Sequence, residues 1–236
     1  MARAENAGEP GAKHLGILLP SSNTVVETEA PKLIPADGSI VLHFSRFRVT
    51  IISESSTSQS QFEQEKMFDA ASLLADAKVD CIAWAGTAAS WLGVDRDQDL
   101  CMSIQARTSI PALTAVLAIN AQLEVLGARR IGLVTPYVAG LESSIKRNYA
   151  AIGIETVSSE RLDLTKNTDY AAVTPQQISQ MCQATARSKP SAIVIMCTNL
   201  RAAAVAESLS REIGIPVIDS VAATIHHAIQ KAIRSR

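Results

Sequence analysis

The stretch "HLGILLPSSN" (residues 14–23) returns in altered form as "RIGLVTPYVA" (residues 130–139). Both run through Ile, Leu or Val into a proline and both contain Gly-x-x-x-Pro. Gly16 and Gly132 stand 116 apart (132 − 16), the same step that separates Pro20 from Pro136. A short apolar run of this kind, stopped by proline, reads as a strand buried on both faces. Two more pairs follow in the same order. "DCIAWAGTAAS" (80–90) matches "AIVIMCTNL" (192–200), with Thr87 opposite Thr198 and Gly86 opposite Cys197. "SIPALTAVLA" (109–118) matches "GIPVIDSVAA" (214–223), with Pro111 opposite Pro216. The offset drifts from 116 to 111 (198 − 87) and then 105 (216 − 111), as duplicated half-chains with small loop differences would show.

Between these runs lie Ala-rich segments of helical period. They predict helices over about 60–77, 114–127, 140–151, 175–187, 201–213 and 220–234, with Gly127 and Gly214 as C-terminal stops. Strands alternating with helices define an α/β fold of parallel sheets flanked by helices. Ligands of open α/β sheets bind beyond the carboxyl ends of the strands, so the two halves are expected to face each other across a shared cleft. The expected division is a first lobe of 14–120 plus 222–236, a second lobe of 121–221, and a disordered tail over 1–13.

The 236 residues are 47% hydrophobic, enough for a sizeable core. Lys and Arg number 22 against 23 Asp and Glu, a net charge of −1 with no basic block, which argues against nucleic acid or an anionic membrane as partner. Small-molecule chemistry is the better expectation. The opening "MARAENAGEPGAK" has no apolar h-region, and no later apolar run approaches the roughly 18 residues of a membrane span. A cytoplasmic protein is expected. The four cysteines form no CxxC pair and have no His at ligand spacing, so neither a zinc site nor a disulfide framework is indicated.

Cys197 closes the run "SAIVIMC" and precedes "TNL" and a predicted helix. A thiol there sits near backbone N–H groups that favour thiolate, whereas Cys81, Cys101 and Cys182 fall in a strand start and helical stretches and read as structural. The loop Pro20, Ser21, Ser22 and Asn23 offers hydrogen-bonding groups to a carboxylate, or caps the helix that follows. Tyr137 matches Ser21 in the repeat and could reach an anion in the cleft. Gly86, Thr87 and Ala88, in "AGTAAS", offer backbone N–H groups and a hydroxyl to two carboxylate oxygens, or form a tight packing turn. Thr198 and Asn199 flank the thiol. No Ser-His-Asp arrangement can be built from His14, His43, His226 and His227.

At these residues the chain resembles the aspartate/glutamate racemase superfamily, in its maleate isomerase and arylmalonate decarboxylase branch, over about residues 14–235. "PSSNTVVETE" is similar to the first-strand signature of maleate isomerases, "VTPY" carries the tyrosine that both groups share, and "CTNLRA" resembles the motif of the second catalytic cysteine. The resemblance implies two pseudo-twofold-related, Rossmann-like lobes, no cofactor or metal, and carbon-acid chemistry on a small carboxylate or dicarboxylate in the cleft, with homo-oligomerisation left open. The chain departs from the two-cysteine pattern at Gly86, where "GTAAS" resembles the "GTS" of arylmalonate decarboxylases.

Racemisation by two bases needs an acid/base group on each face of the carbon, and Gly86 offers none. Decarboxylation of a malonate-type acid needs only oxyanion donors and one proton donor, for which Cys197 suffices. Decarboxylation is therefore expected slightly ahead of maleate cis–trans isomerisation by thiol addition, or of racemisation. A catalytically silent dicarboxylate-binding protein is the remaining alternative.

Overall fold

The computed structural model describes residues 11–234; the tail expected over 1–13 lies outside those residues except for its last three, and Lys13 already belongs to the first strand. Two four-stranded parallel sheets form the framework. The first has the order β2 (Ile40–Phe47), β1 (Lys13–Pro20), β3 (Cys81–Trp84), β4 (Ala112–Thr114). The second has the order β6 (Glu155–Arg161), β5 (Arg130–Thr135), β7 (Ala192–Ile195), β8 (Val217–Asp219). The strand order is the same in both halves, and so are individual bonds. Ala85 N–H donates to Leu18 O as Met196 N–H does to Val134 O, and Ile82 N–H donates to Pro111 O as Ile193 N–H does to Pro216 O.

The repeated glycines have one physical reason. A side-chain carbon on Gly16 would press on Leu74 and Val79, and one on Gly132 would collide with Thr185 and press on Pro190. In each lobe the glycine lets a crossover helix, Gln64–Asp76 or Pro175–Ala186, settle directly on the central strand. The helices Ala115–Val125, Ala139–Ala151 and Ala203–Ile213 also fall where the periodicity places them.

Three elements were not named from the sequence or were drawn short. The helix Asp95–Thr108 is legible only as a helical stretch around Cys101, without bounds, because only Asp97, Leu100 and Ile104 of "DRDQDLCMSIQART" are buried, too few for an apolar stripe. Strand β6, "ETVSSER", is only half-buried along its length and has no apolar face to betray it. Strand β2 was legible only around His43. The last helix, Ser220–Arg234, crosses back to pack on β1, β3 and the helix Ala115–Val125 of the first half. Among the described residues no helix is long and apolar enough to cross a membrane.

Candidate active site

Cys197 lies two residues beyond β7, 3% exposed, where the chain breaks out of the second sheet. Its position is fixed from behind. Its own N–H donates to Ser220 Oγ at 3.2 Å, and Ser220 Oγ in turn donates to Ile195 O. Asn199 N–H donates to Cys197 Sγ at 3.3 Å. The helix that follows begins at Ala203 rather than at Arg201, so the thiol gains the amides of Asn199 and Leu200 and not a full helix terminus. Burial outweighs them. Desolvation pushes the Cys197 thiol up to about 12, with the Tyr137 hydroxyl and the Asn199 amide acting against burial and the Asp219 carboxyl acting with it. The backbone groups expected to favour thiolate do touch the sulfur, yet the thiol stays protonated at neutral pH.

Tyr137, just past β5, brings a phenol to the same point and also bonds Cys197. Its hydroxyl lies 2.7 Å from Thr87 Oγ1, which comes from the first lobe. The ring is held edge-on between Trp91, at 4.7 Å between centroids, and Tyr170, at 5.7 Å. Burial raises the Tyr137 pKa well above that of an ordinary tyrosine, so the group is a hydrogen-bond donor and not a phenolate.

The seam beside these groups is made of short polar side chains from both lobes. Asn23 Oδ1 accepts from the N–H groups of Val25 and Val26, both at 3.0 Å, while its Nδ2 donates to Thr198 Oγ1 at 3.3 Å. Capping and cleft-lining thus coexist in one side chain. Thr198 Oγ1 donates to Ala85 O at 2.9 Å, and Asn199 Oδ1 accepts from Thr24 N–H at 3.0 Å. Asn199 Nδ2 donates to Asn167 O at 2.6 Å, and Asn167 Nδ2 donates to Ser22 Oγ at 2.8 Å.

These residues enclose a chamber of about 20 Å³ around the thiol, room for about one water molecule. Pro20, Asn23, Gly86, Thr87, Ala88, Tyr137, Cys197 and Thr198 all line it. Three of the sequence candidates do not. Ser21 is exposed and exchanges hydrogen bonds with the backbone of Val49; Ser22 donates to Val49 O; Asn199 stands one layer behind, joining the lobes. Trp84, Trp91, Phe62, Ile52 and Asn167 complete the lining. The two tryptophans flank "AGTAAS" in sequence, but their direction was not legible. Asn167 sits in "KNTDY" without any signal.

Ile52 and Phe62 belong to residues 48–62, which reach over the chamber from the first lobe and bind the second: Ile52 N–H donates to Thr165 O at 2.9 Å, and Asn167 N–H to Thr50 O at 3.2 Å. This Ser-rich segment roofs the thiol. No lining residue is charged, so a carboxylate in the chamber would be met by hydroxyl and amide donors alone. A four-carbon diacid exceeds the free volume, so the lining must shift to admit one. Among the described residues no group of three or more His, Cys, Asp or Glu could hold a metal ion.

Two like parallel-sheet lobes that meet at their strand ends around a buried thiol define the aspartate/glutamate racemase type of α/β enzyme. The chain belongs to the arylmalonate decarboxylase family, whose model matches residues 15–235. It is similar to the maleate isomerase of Geobacillus stearothermophilus, 23% identical over 93% of this chain and 92% of that one. It is likewise similar to the arylmalonate decarboxylase of Bordetella bronchiseptica, 23% identical over 86% and 87%. The fold is shared with a cysteine-to-serine variant of the Nocardia farcinica maleate cis–trans isomerase that carries a covalently bound succinylcysteine intermediate (TM-score 0.86, 22% identity, 94% of this chain and 93% of that one). The matched relatives include four maleate isomerases and one arylmalonate decarboxylase, which favours isomerisation over the decarboxylation ranked first from sequence.

Proposed function

We propose that the chain is a cofactor-independent enzyme that isomerises a small cis-dicarboxylate of the maleate type at Cys197. The observation that carries this is a single protonated thiol in an uncharged, nearly closed chamber, bonded by a phenol from one lobe that also meets a hydroxyl from the other. The sulfur adds to one alkene carbon and the thiol proton passes to its neighbour, giving a saturated succinyl thioether whose central bond turns freely. After the turn, loss of the other hydrogen of that neighbouring carbon as a proton and cleavage of the C–S bond return the thiol and release the trans-diacid, with no net change in protons or electrons. Charge that develops on the substrate carboxylate during addition is met by Thr87 and Tyr137. Asn23 and Thr198 orient the other carboxylate, and the roof excludes water.

Gly86 favours a second reading. With no acid/base group opposite Cys197, a malonate-type acid could lose CO2 to leave an enediolate, which Cys197 protonates on carbon before solvent restores the thiol. Proton NMR in D2O, with maleate, methylmalonate and phenylmalonate offered separately to wild type and Cys197→Ser, separates the two. Fumarate formed from maleate and lost in the variant supports isomerisation. Loss of a carboxylate with one deuterium placed on the carbon would establish decarboxylation instead, and no turnover of any of them would overturn both.

A further inference from the structure

Gly86 has no side chain, yet the space beside it is not open. A side-chain carbon built there would collide with the six-membered ring of Trp84. Trp84 ends β3, is 2% exposed, and is braced by Phe47 at 5.1 Å between ring centroids. Its indole borders two cavities at once. On one side is the chamber of about 20 Å³ that holds Cys197; on the other is a cavity of about 340 Å³ that is apolar at Phe62, Met67, Leu92 and Leu100, polar at Gln64 and the buried Asp97, and edged by Glu63, Arg96 and Asp99. The larger space is not the one that contains the thiol.

We infer that Trp84 is the specificity-determining wall of this site: it confines the substrate to a small dicarboxylate with hydrogen or methyl on the carbon that faces Gly86. The inference rests on the reading of Cys197 as the reacting thiol. When the roof of residues 48–62 lifts, the chamber gains room on the roof side, but the indole stays between the reacting carbon and the outer cavity because it is rooted in the sheet and braced by Phe47. An aryl substituent at that carbon would find room in the outer cavity, against Phe62, Met67, Leu92 and Leu100, and Trp84 closes the way to it. Removing the fused ring would join the two spaces into one larger pocket continuous with the thiol.

The test compares wild type, Trp84→Phe and Trp84→Leu for turnover of maleate, methylmalonate and phenylmalonate, with circular dichroism and thermal melts as folding controls. Wild type should favour its small substrate over phenylmalonate by about a hundredfold or more, and Trp84→Leu should shift that ratio at least about tenfold toward the aryl acid, with Trp84→Phe between them. Adding Leu92→Trp, which refills the outer cavity, should cancel the gain. Binding reads the wall without chemistry: in the Cys197→Ser background, calorimetry with malonate and phenylmalonate should show the same shift in affinity ratio when Trp84→Leu is added. An unchanged affinity ratio in the folded variants, or a wild type that accepts phenylmalonate as readily as the small acids, would overturn the inference. If wild type turns over none of these acids but the affinity ratio still shifts, the reading of the reaction fails and the wall stands.

Discussion

Cys197→Ser should lower turnover by at least about 10²-fold, because the variant loses both the attacking sulfur and its proton, and steady-state kinetics on the active substrate checks it. Tyr137→Phe keeps the ring between Trp91 and Tyr170 but removes the hydroxyl that meets Thr87 and the thiol. A loss of about 10²-fold in kcat is expected, with a smaller change in KM. Away from the thiol, Asp97 is 3% exposed and accepts a hydrogen bond from Thr114 Oγ1, and burial pushes its carboxyl up to about 7. The folded protein therefore holds a proton that the unfolded chain releases near pH 4. The stability this gives is complete below pH 4 and is lost as pH rises through about 7, by an amount on the order of a few kcal/mol. Thermal melts from pH 4 to 8 should show this decline, and Asp97→Asn should remove the share due to Asp97 while leaving that of Asp219, whose carboxyl burial also pushes up to about 7. At this scale the sequence was informative where chemistry and repeat coincide: Cys197, Thr87, Tyr137 and Asn23 each end or follow a strand and each lines the chamber. Ser21 and Ser22 follow β1 as well, but a loop that turns sharply can send neighbouring side chains to opposite sides, and no pattern in "PSSN" says which.

Residues 48–62 are the element whose role the sequence conceals. "VTIISESSTSQSQF" (49–62) has neither the period of a helix nor the alternation of a strand, and its function lies in backbone bonds to Thr165 and Asn167 of the other lobe. A dicarboxylate that binds beneath it should strengthen those bonds. Hydrogen–deuterium exchange with malonate present should slow at Thr50–Phe62 and at Asn167, while the central strands β1 and β5 stay unchanged. Equal exchange with and without ligand would show that substrate enters by another path. The edge strand β6 was hidden, and the helix Asp95–Thr108 legible only around Cys101, for a related reason. Both are elements whose outer face meets water, so few of their side chains carry the burial signal from which periodicity is read.

Across the whole molecule the duplication was the most legible feature, because Gly-x-x-x-Pro and the paired strand ends encode packing that each lobe needs separately. What joins the lobes was less legible, since the seam is built from single Asn and Thr side chains whose partners lie far away in sequence. Asn199 ties Thr24 to Asn167, and Asn199→Ala should cost about 1–3 kcal/mol in urea denaturation by leaving buried groups unpaired. The return of the last helix to the first sheet has a consequence for how the chain is made. Val221, Ile225, Ala228 and Ala232 belong to the buried face of a helix that packs on strands formed from the opening of the chain. While a ribosome is still adding residues, that face of the first sheet has no cover. The half translated first is therefore completed only once residues 220–234 have been made and have left the ribosome, and until then the nascent chain carries an exposed apolar surface.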